Sequence, residues 1–272
     1  MLRKNTLQID VKIGTSGYSY EDWRDNFYPS ELPKAQMLEF YSQFFSTVEI
    51  NSSYYHIPDS YVFQRMAEKT PPNFEFIVKV NRETTHRRPV NKEAMTKLME
   101  SLKPMAEYNK LHGLLAQFPY SFYNNEKNRR YLTEIKKLAG DVPLFVEFRN
   151  DGWLKTQITP FLKENGLCYV NVDEPALKGL MPPQAVVTTP PGYIRFHGRN
   201  EKAWWNGQGS ERYDYEYGKE ELKEWLNNIS QILKKSPKIY IFFNNHPQGK
   251  AIKNARDMME IMSSQLQIRF QK

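Results

Sequence analysis

Five strand ends in this sequence each carry two polar residues straddling one apolar residue: Glu49–Ile50–Asn51, Lys79–Val80–Asn81, Glu147–Phe148–Arg149, Asn171–Val172–Asp173 and Arg195–Phe196–His197. An apolar residue also precedes each group: Val48, Val78, Val146, Val170 and Ile194. Successive strand side chains point to opposite faces. The apolar set therefore suits packing against helices, and the polar set is expected to converge. An uncompensated buried ion costs several kcal/mol, so these charges must meet each other or a ligand. Glu49 or Glu147 has the chemistry of a general base and His197 that of an acid; Lys79 or Arg195 suits an oxyanion or a phosphate. Asp173 completes the expected catalytic set.

Other chemistries use the same residues. Glu49, Glu147, Asp173 and His197 are ligand types for a divalent ion. Lys79, Arg149 and Arg195 already offset these carboxylates, and none of the five histidines forms an HxxxH pair. No cofactor is expected, with a divalent metal as the alternative. Lys79 could form a Schiff base if desolvation lowered its pKa. A two-carboxylate glycosidase would place its acids on the fourth and seventh strands of a barrel, where this chain has Gln117 and His197.

These side chains need strands to aim them. Strands are predicted at Val11–Gly17, Thr47–Ser53, Phe74–Asn81, His112–Phe118, Leu144–Arg149, Leu167–Asp173, Tyr193–Gly198 and Lys238–Asn245. Helices are predicted near Lys34–Phe45, Ser60–Lys69, Lys92–Tyr108, Glu126–Leu138, Thr156–Asn165, Lys219–Lys234 and Lys250–Gln265. The stretch Glu174–Gly192 holds Pro175, Pro182, Pro183, Pro190 and Pro191, so it is expected to be an irregular connection between strands 6 and 7. Alternation of this kind predicts a single α/β domain over 1–272. Its expected form is a (β/α)8 TIM barrel spanning about 11–266, with the site at the C-terminal strand ends; a doubly wound open sheet is the alternative.

Loops add to the rim. "NRETTHRR" brings Arg82, His86, Arg87 and Arg88, and "NEKAWWNGQGSERYDYEY" brings Trp204, Trp205, Tyr213, Tyr215 and Tyr217. Such loops suit anion contacts and stacking on a base or sugar. Asn244 and Asn245 precede a helix N-terminus that could receive a phosphate. Cys168 is expected to pack inertly, and Gly14 and Gly17 lack the GK[ST] of a phosphate loop.

The chain has 272 residues, a formal charge of +7 and 14% aromatic residues. The positive charge favours anionic partners, yet no block of five like charges marks a nucleic-acid tail. No apolar run approaches the roughly 20 residues of a membrane helix, and "MLRKNTLQID" lacks a signal peptide's apolar core. With one cysteine, no internal disulfide can form. A cytoplasmic protein is the expectation.

The segments "IGTSGYSYEDW", "FYP", "TVEINSSYY", "FEFIVKVNRETTH", "LLAQFP", "FVEFRNDGW", "YIRFHG" and "IFFNNHPQGKA" occur in order from Ile13 to Ala251. Together they resemble the YecE-like family, also called domain of unknown function 72. The resemblance implies a TIM barrel and no established reaction. It also implies a constellation of Ser16, Tyr18, Trp23, Glu49, Asn51, Lys79, His86, Gln117, Glu147, Arg149, Trp153, Arg195, His197 and Asn244. Tyr18 stands where the family pattern has Trp, His56 where it has Arg, and His246 where it has Asp; "QFPYSF" lacks a second proline. Position 56 therefore carries no permanent charge.

The expected function is acid–base or hydrolytic chemistry on a phosphate-bearing substrate: a nucleotide, nucleic acid or sugar phosphate. Glu49, Glu147, His197, Lys79 and Asp173 are the catalytic candidates. Ser16, Tyr18, Trp23, Asn51, His86, Gln117, Arg149, Trp153, Arg195, Trp204 and Asn244 are the substrate-binding candidates. A non-catalytic nucleic-acid-binding barrel and a carbohydrate-active enzyme are the alternatives.

Overall fold

The computed structural model describes residues 9–89, 92–154 and 158–270. Among these described residues, nine parallel strands form two sheets. One has the order β1 (Asp10–Thr15), β9 (Lys238–Phe243), β8 (Gly192–Phe196), β7 (Asn171–Asp173). The other runs β2 (Thr47–Ile50), β3 (Glu75–Lys79), β4 (Leu111–Gln117), β5 (Leu144–Glu147), β6 (Leu167–Tyr169). The expected single closed sheet of eight strands is thus met in its coarser part, as an α/β fold of parallel strands and helices.

The count differs because the predicted sixth strand changes partners midway. Its first half, β6, pairs with β5, and its second half, β7, pairs with β8; only Val170 lies between them. The proline-rich connection explains the switch. Thr188 accepts from the Tyr169 N–H (2.9 Å) and donates to the Leu167 carbonyl (2.6 Å), so it occupies a strand edge. Asn171 exchanges hydrogen bonds with both backbone groups of Val186. No helix or strand interrupts 174–191 among the described residues, as its prolines require.

β1 and β2 meet through a single parallel bridge, Ser16 to Glu49. Below it Tyr41 mediates: the Thr15 N–H donates to its hydroxyl (3.0 Å), which donates to the Thr47 carbonyl (3.2 Å). The close approach depends on Gly14, since a Cβ there would collide with the Thr47 carbonyl oxygen. Gly14→Ala is expected to cost about 1–3 kcal/mol by forcing these strands apart, read as a lower urea midpoint with an unchanged m-value.

The α-helices are α1 (Met37–Tyr41), α2 (Ser60–Glu68), α3 (Glu93–Ser101), α4 (Lys103–Glu107), α5 (Glu126–Ala139), α6 (Ile158–Glu164), α7 (Lys219–Glu224), α8 (Leu226–Lys235) and α9 (Lys250–Gln265). The helix predicted over Lys92–Tyr108 runs as α3 and α4, because Pro104 removes an N–H from the ladder. The start predicted at Thr156 lies outside the described residues. The strands' buried apolar faces pack against these helices; Phe196 and Phe243, for example, stack at 4.7 Å beside Trp225.

Candidate functional site

Arg195, on β8, is fully buried and joins the two sheets. One guanidinium nitrogen donates to Glu147 Oε2 of β5 (2.6 Å). The other donates to Glu49 Oε1 of β2 (2.7 Å) and to Ser16 Oγ (3.2 Å). Tyr193, two residues earlier on the same strand face, donates its hydroxyl to Glu49 Oε2 (2.7 Å). Arg149 lies 2.7 Å from Glu147 Oε1 and donates to Glu174 Oε2 (3.1 Å). Glu49 is therefore held by Arg195 and Tyr193 through both oxygens, whereas Glu147 is ion-paired with Arg195 and Arg149 but makes a well-formed hydrogen bond only through Oε2.

The electrostatics follow from that pairing. Burial pushes the Glu147 carboxyl up, but Arg149, Arg195 and His197 overcome it and hold the group well below the usual carboxylate range. His197 is pushed down to about 3 by burial and by Arg149, against the opposing pull of Glu147. Its imidazole is neutral. Asn244 donates to Nδ1 (3.0 Å), which leaves the ring proton on Nε2, 3.2 Å from Glu147 Oε1.

Asp173 does not join this cluster. It pairs in register with Phe196 on the helix side of the sheet. There it accepts from the Trp225 indole N–H (2.7 Å), the Tyr217 hydroxyl (2.7 Å) and the Arg199 guanidinium (2.7 Å). A carboxylate is affordable on that face because three donors surround it. Its neighbour Glu174 reaches the site instead. Burial raises Glu174 to about 7, with Arg149 and the Met181 N–H pulling the other way.

Above the buried cluster lies a cavity of about 310 Å³, lined by Lys79, Arg149 and Arg212, the rings of Tyr54, Trp204 and Tyr213, and by His86 and Gln117. Among the described residues no Asp or Glu lines it. Lys79 ends β3 and has no carboxylate within ion-pair distance among the described residues; its ammonium sits 4.6 Å over the Tyr54 ring. Burial and Arg195 press the amine down to about 7, partly opposed by Glu49 and Glu147. Burial and Lys79 likewise lower His86 to about 4. Arg149 also faces the Trp204 ring at 5.7 Å.

The other candidates divide. Asn51 follows β2, and its buried side-chain Oδ1 finds no hydrogen-bond partner. Tyr18 packs toward Tyr41 and accepts the Tyr28 hydroxyl through its backbone carbonyl. Trp23 is buried and donates to the His246 carbonyl (2.7 Å). Trp153 stacks on Phe148 at 4.0 Å and donates to the Phe122 carbonyl. These three belong to packing away from the cavity. From "NRETTHRR" only His86 lines the cavity: Arg87 pairs with Glu83, and Arg88 donates to the Thr85 carbonyl.

Sequence reasoning passed over Tyr54, Glu174, Tyr193 and Arg212. Tyr193 was accessible, since alternation places it with Arg195 and His197. Glu174, at the start of the proline-rich loop, offered no periodic signal. Among the described residues no group of three or more His, Cys, Asp and Glu is arranged to hold a metal ion, and no helix is long and apolar enough to cross a membrane.

Comparison with known proteins covers the same span as this architecture. The chain is 31% identical over 269 residues to the UPF0759 protein YunF of Bacillus subtilis (strain 168), covering 93% of this chain and 94% of that protein. A DUF72 family protein from Thermotoga maritima MSB8 superposes with a TM-score of 0.86 at 38% identity, over 93% of this chain and 99% of that one. A second from Enterococcus faecalis V583 gives 0.83 at 26% identity, over 96% and 97%. The family model "Protein of unknown function DUF72" matches residues 12–271, and the chain belongs to that family.

Proposed function

We propose that this chain is an enzyme that binds a small phosphate-bearing molecule in the cavity over β3–β5, and that Lys79 carries acid–base chemistry there. The observation that carries this reading is the lining: three cationic side chains, no carboxylate, and aromatic walls. Arg149 is already paired with Glu147 and Glu174, so the positive charge open to an anion is that of Lys79 and Arg212. Its volume falls at the small end of ligand pockets, which favours a sugar phosphate or nucleotide over a polynucleotide strand. Aromatic walls alone would suit an unphosphorylated sugar, but such a ligand would leave Lys79 and Arg212 without an anionic partner.

In this reading the two sheets are arcs of one (β/α)8 barrel. The Ser16–Glu49 bridge at one seam and the one-residue gap at Val170 at the other support it. Arg195, Glu49, Glu147 and Ser16 are then the buried plug beneath the cavity floor. Glu147 and Arg195 set the field at Lys79, and His197 with Asn244 positions Glu147.

The test is a thermal-shift comparison of sugar phosphates and nucleotides with their dephosphorylated counterparts. A phosphorylated ligand at about 100 times its Kd stabilises the native state by about 2.7 kcal/mol. That corresponds to a rise of roughly 5 °C or more in Tm for a chain of this size. Equal shifts from the dephosphorylated compounds, or a response confined to DNA or RNA, would replace this reading.

A further inference from the structure

We propose that Lys79 is a Schiff-base lysine and that the molecule bound in the cavity is a phosphate-bearing aldehyde or ketone. This rests on the phosphate-binding reading and adds the functional group of the substrate. A lysine that forms an imine needs a free amine, a partner-free approach and an enclosed space beside it. Most lysines fail the second condition, being ion-paired or solvated. Lys79 meets it: among the described residues its amine has no carboxylate at ion-pair distance. It is half-buried at the end of β3, where it lines the cavity beside Arg149 and Arg212.

The surroundings favour the neutral amine over the ammonium. Arg195 and Arg149 both act on it as like charges, while Glu49 and Glu147 spend their negative charge on Arg195 and Arg149. This is the arrangement in which desolvation and neighbouring cations make a lysine nucleophilic. The Tyr54 ring beneath Nζ offers a face to the positive nitrogen of the product. Arg212 and the guanidinium nitrogen of Arg149 not turned to Glu147 or Glu174 line the same cavity and are donors suited to a phosphate.

The step balances without a further reagent. The amine lone pair forms a C–N bond as the carbonyl oxygen takes a proton, giving a carbinolamine. Loss of that hydroxyl as water, with the nitrogen lone pair closing the double bond, leaves a protonated imine. The carbonyl oxygen takes its first proton from the amine and its second from solvent, so the net change is a carbonyl compound, a neutral amine and one proton going to an iminium plus water. The positive charge brought by that proton ends on the lysine nitrogen.

The experiment uses the full chain, glyceraldehyde 3-phosphate as probe and sodium borohydride to reduce any imine to a stable amine. Peptide mapping then reads which lysine is modified. The expected result is modification at Lys79 at least tenfold faster than at any other lysine, slowed by excess inorganic phosphate. Glyceraldehyde without phosphate should label Lys79 at least tenfold more slowly. In Lys79→Arg the fast adduct should vanish, while circular dichroism reports an intact fold. Because mapping is done on the parent protein, the result does not depend on that variant folding. Labelling spread evenly over surface lysines would overturn the proposal. Protection by phosphate-bearing ligands in thermal shift, with no adduct at Lys79, would overturn it while leaving the phosphate-binding reading in place. Failure of both measurements would remove both.

Discussion

Replacing Arg195 by methionine is expected to cost the fold about 3–5 kcal/mol, the usual effect of breaking a buried ion network from one side. The side chain is fully buried and serves three acceptors, Glu49, Glu147 and Ser16, drawn from different strands. Methionine fills much of the same volume, so the loss is electrostatic rather than a cavity effect. Two carboxylates would remain in the interior with Tyr193, Arg149 and the neutral His197 ring as their remaining neighbours. Arg195→Lys should recover only part of the loss, because one ammonium cannot span the fork that a planar guanidinium covers.

The pH dependence of this variant has a definite sign. In the parent protein Glu147 holds its proton only well below the ordinary value of 4.5. Its contribution to stability is complete above that value and is lost as pH falls through the depressed pKa, because the unfolded chain binds more protons there. Removing Arg195 takes away one of the cations responsible, so the depression lessens. The stability gap between parent and variant is therefore largest at neutral pH and narrows in acid. Urea unfolding across that range measures it. A gap below about 1 kcal/mol at neutral pH, typical of an exposed pair, would show that the cluster is hydrated rather than a dry plug.

Anion binding in the cavity is expected to weaken about ten- to a hundredfold as pH rises from about 6 to about 9. That magnitude corresponds to one charge-assisted hydrogen bond of about 1.5–3 kcal/mol. Lys79, with its amine near 7, loses its charge across this window. His86 stays neutral, Glu147 stays ionised, and Arg149 and Arg195 stay charged. Tyr54 is shifted upward, away from the window. Glu174, near 7 and hydrogen-bonded to Arg149, gains negative charge over the same range and acts in the same direction. Inorganic sulfate is the probe, since its charge does not change over these pH values. Lys79→Arg should flatten most of the profile and Glu174→Gln the remainder. A flat profile in the parent protein would remove Lys79 from the binding site.

The strand positions were legible because β-branched and aromatic runs alternate with helical periods, and burial of one face dictates that pattern. The convergence of Glu49, Glu147, Arg149, Arg195 and His197 was legible for the same reason: a charge inside an otherwise apolar strand must point where a partner waits. Asp173 broke the inference because alternation gives two faces and does not say which is polar. Trp225, Tyr217 and Arg199 make the helix-facing side hospitable to a carboxylate, and they lie 26 to 52 residues away in the chain. Trp23 and Trp153 entered the expected site through the family resemblance, yet their indoles donate to backbone carbonyls in the core, of His246 and Phe122.

Residue order alone determined the parallel α/β class, the irregular connection after β7, and the gathering of opposite charges at the ends of the strands. Each of these follows from local rules of periodicity, proline stereochemistry and the cost of burying charge. Only the tertiary structure decided which charges cancel and which remain available. Glu49 and Glu147 are consumed by Arg195 and Arg149, whereas Lys79 is left facing a cavity whose lining holds no carboxylate. Pairing at distances of a few ångströms depends on side chains from different strands and both sheets. The pattern along any one strand does not encode that distance.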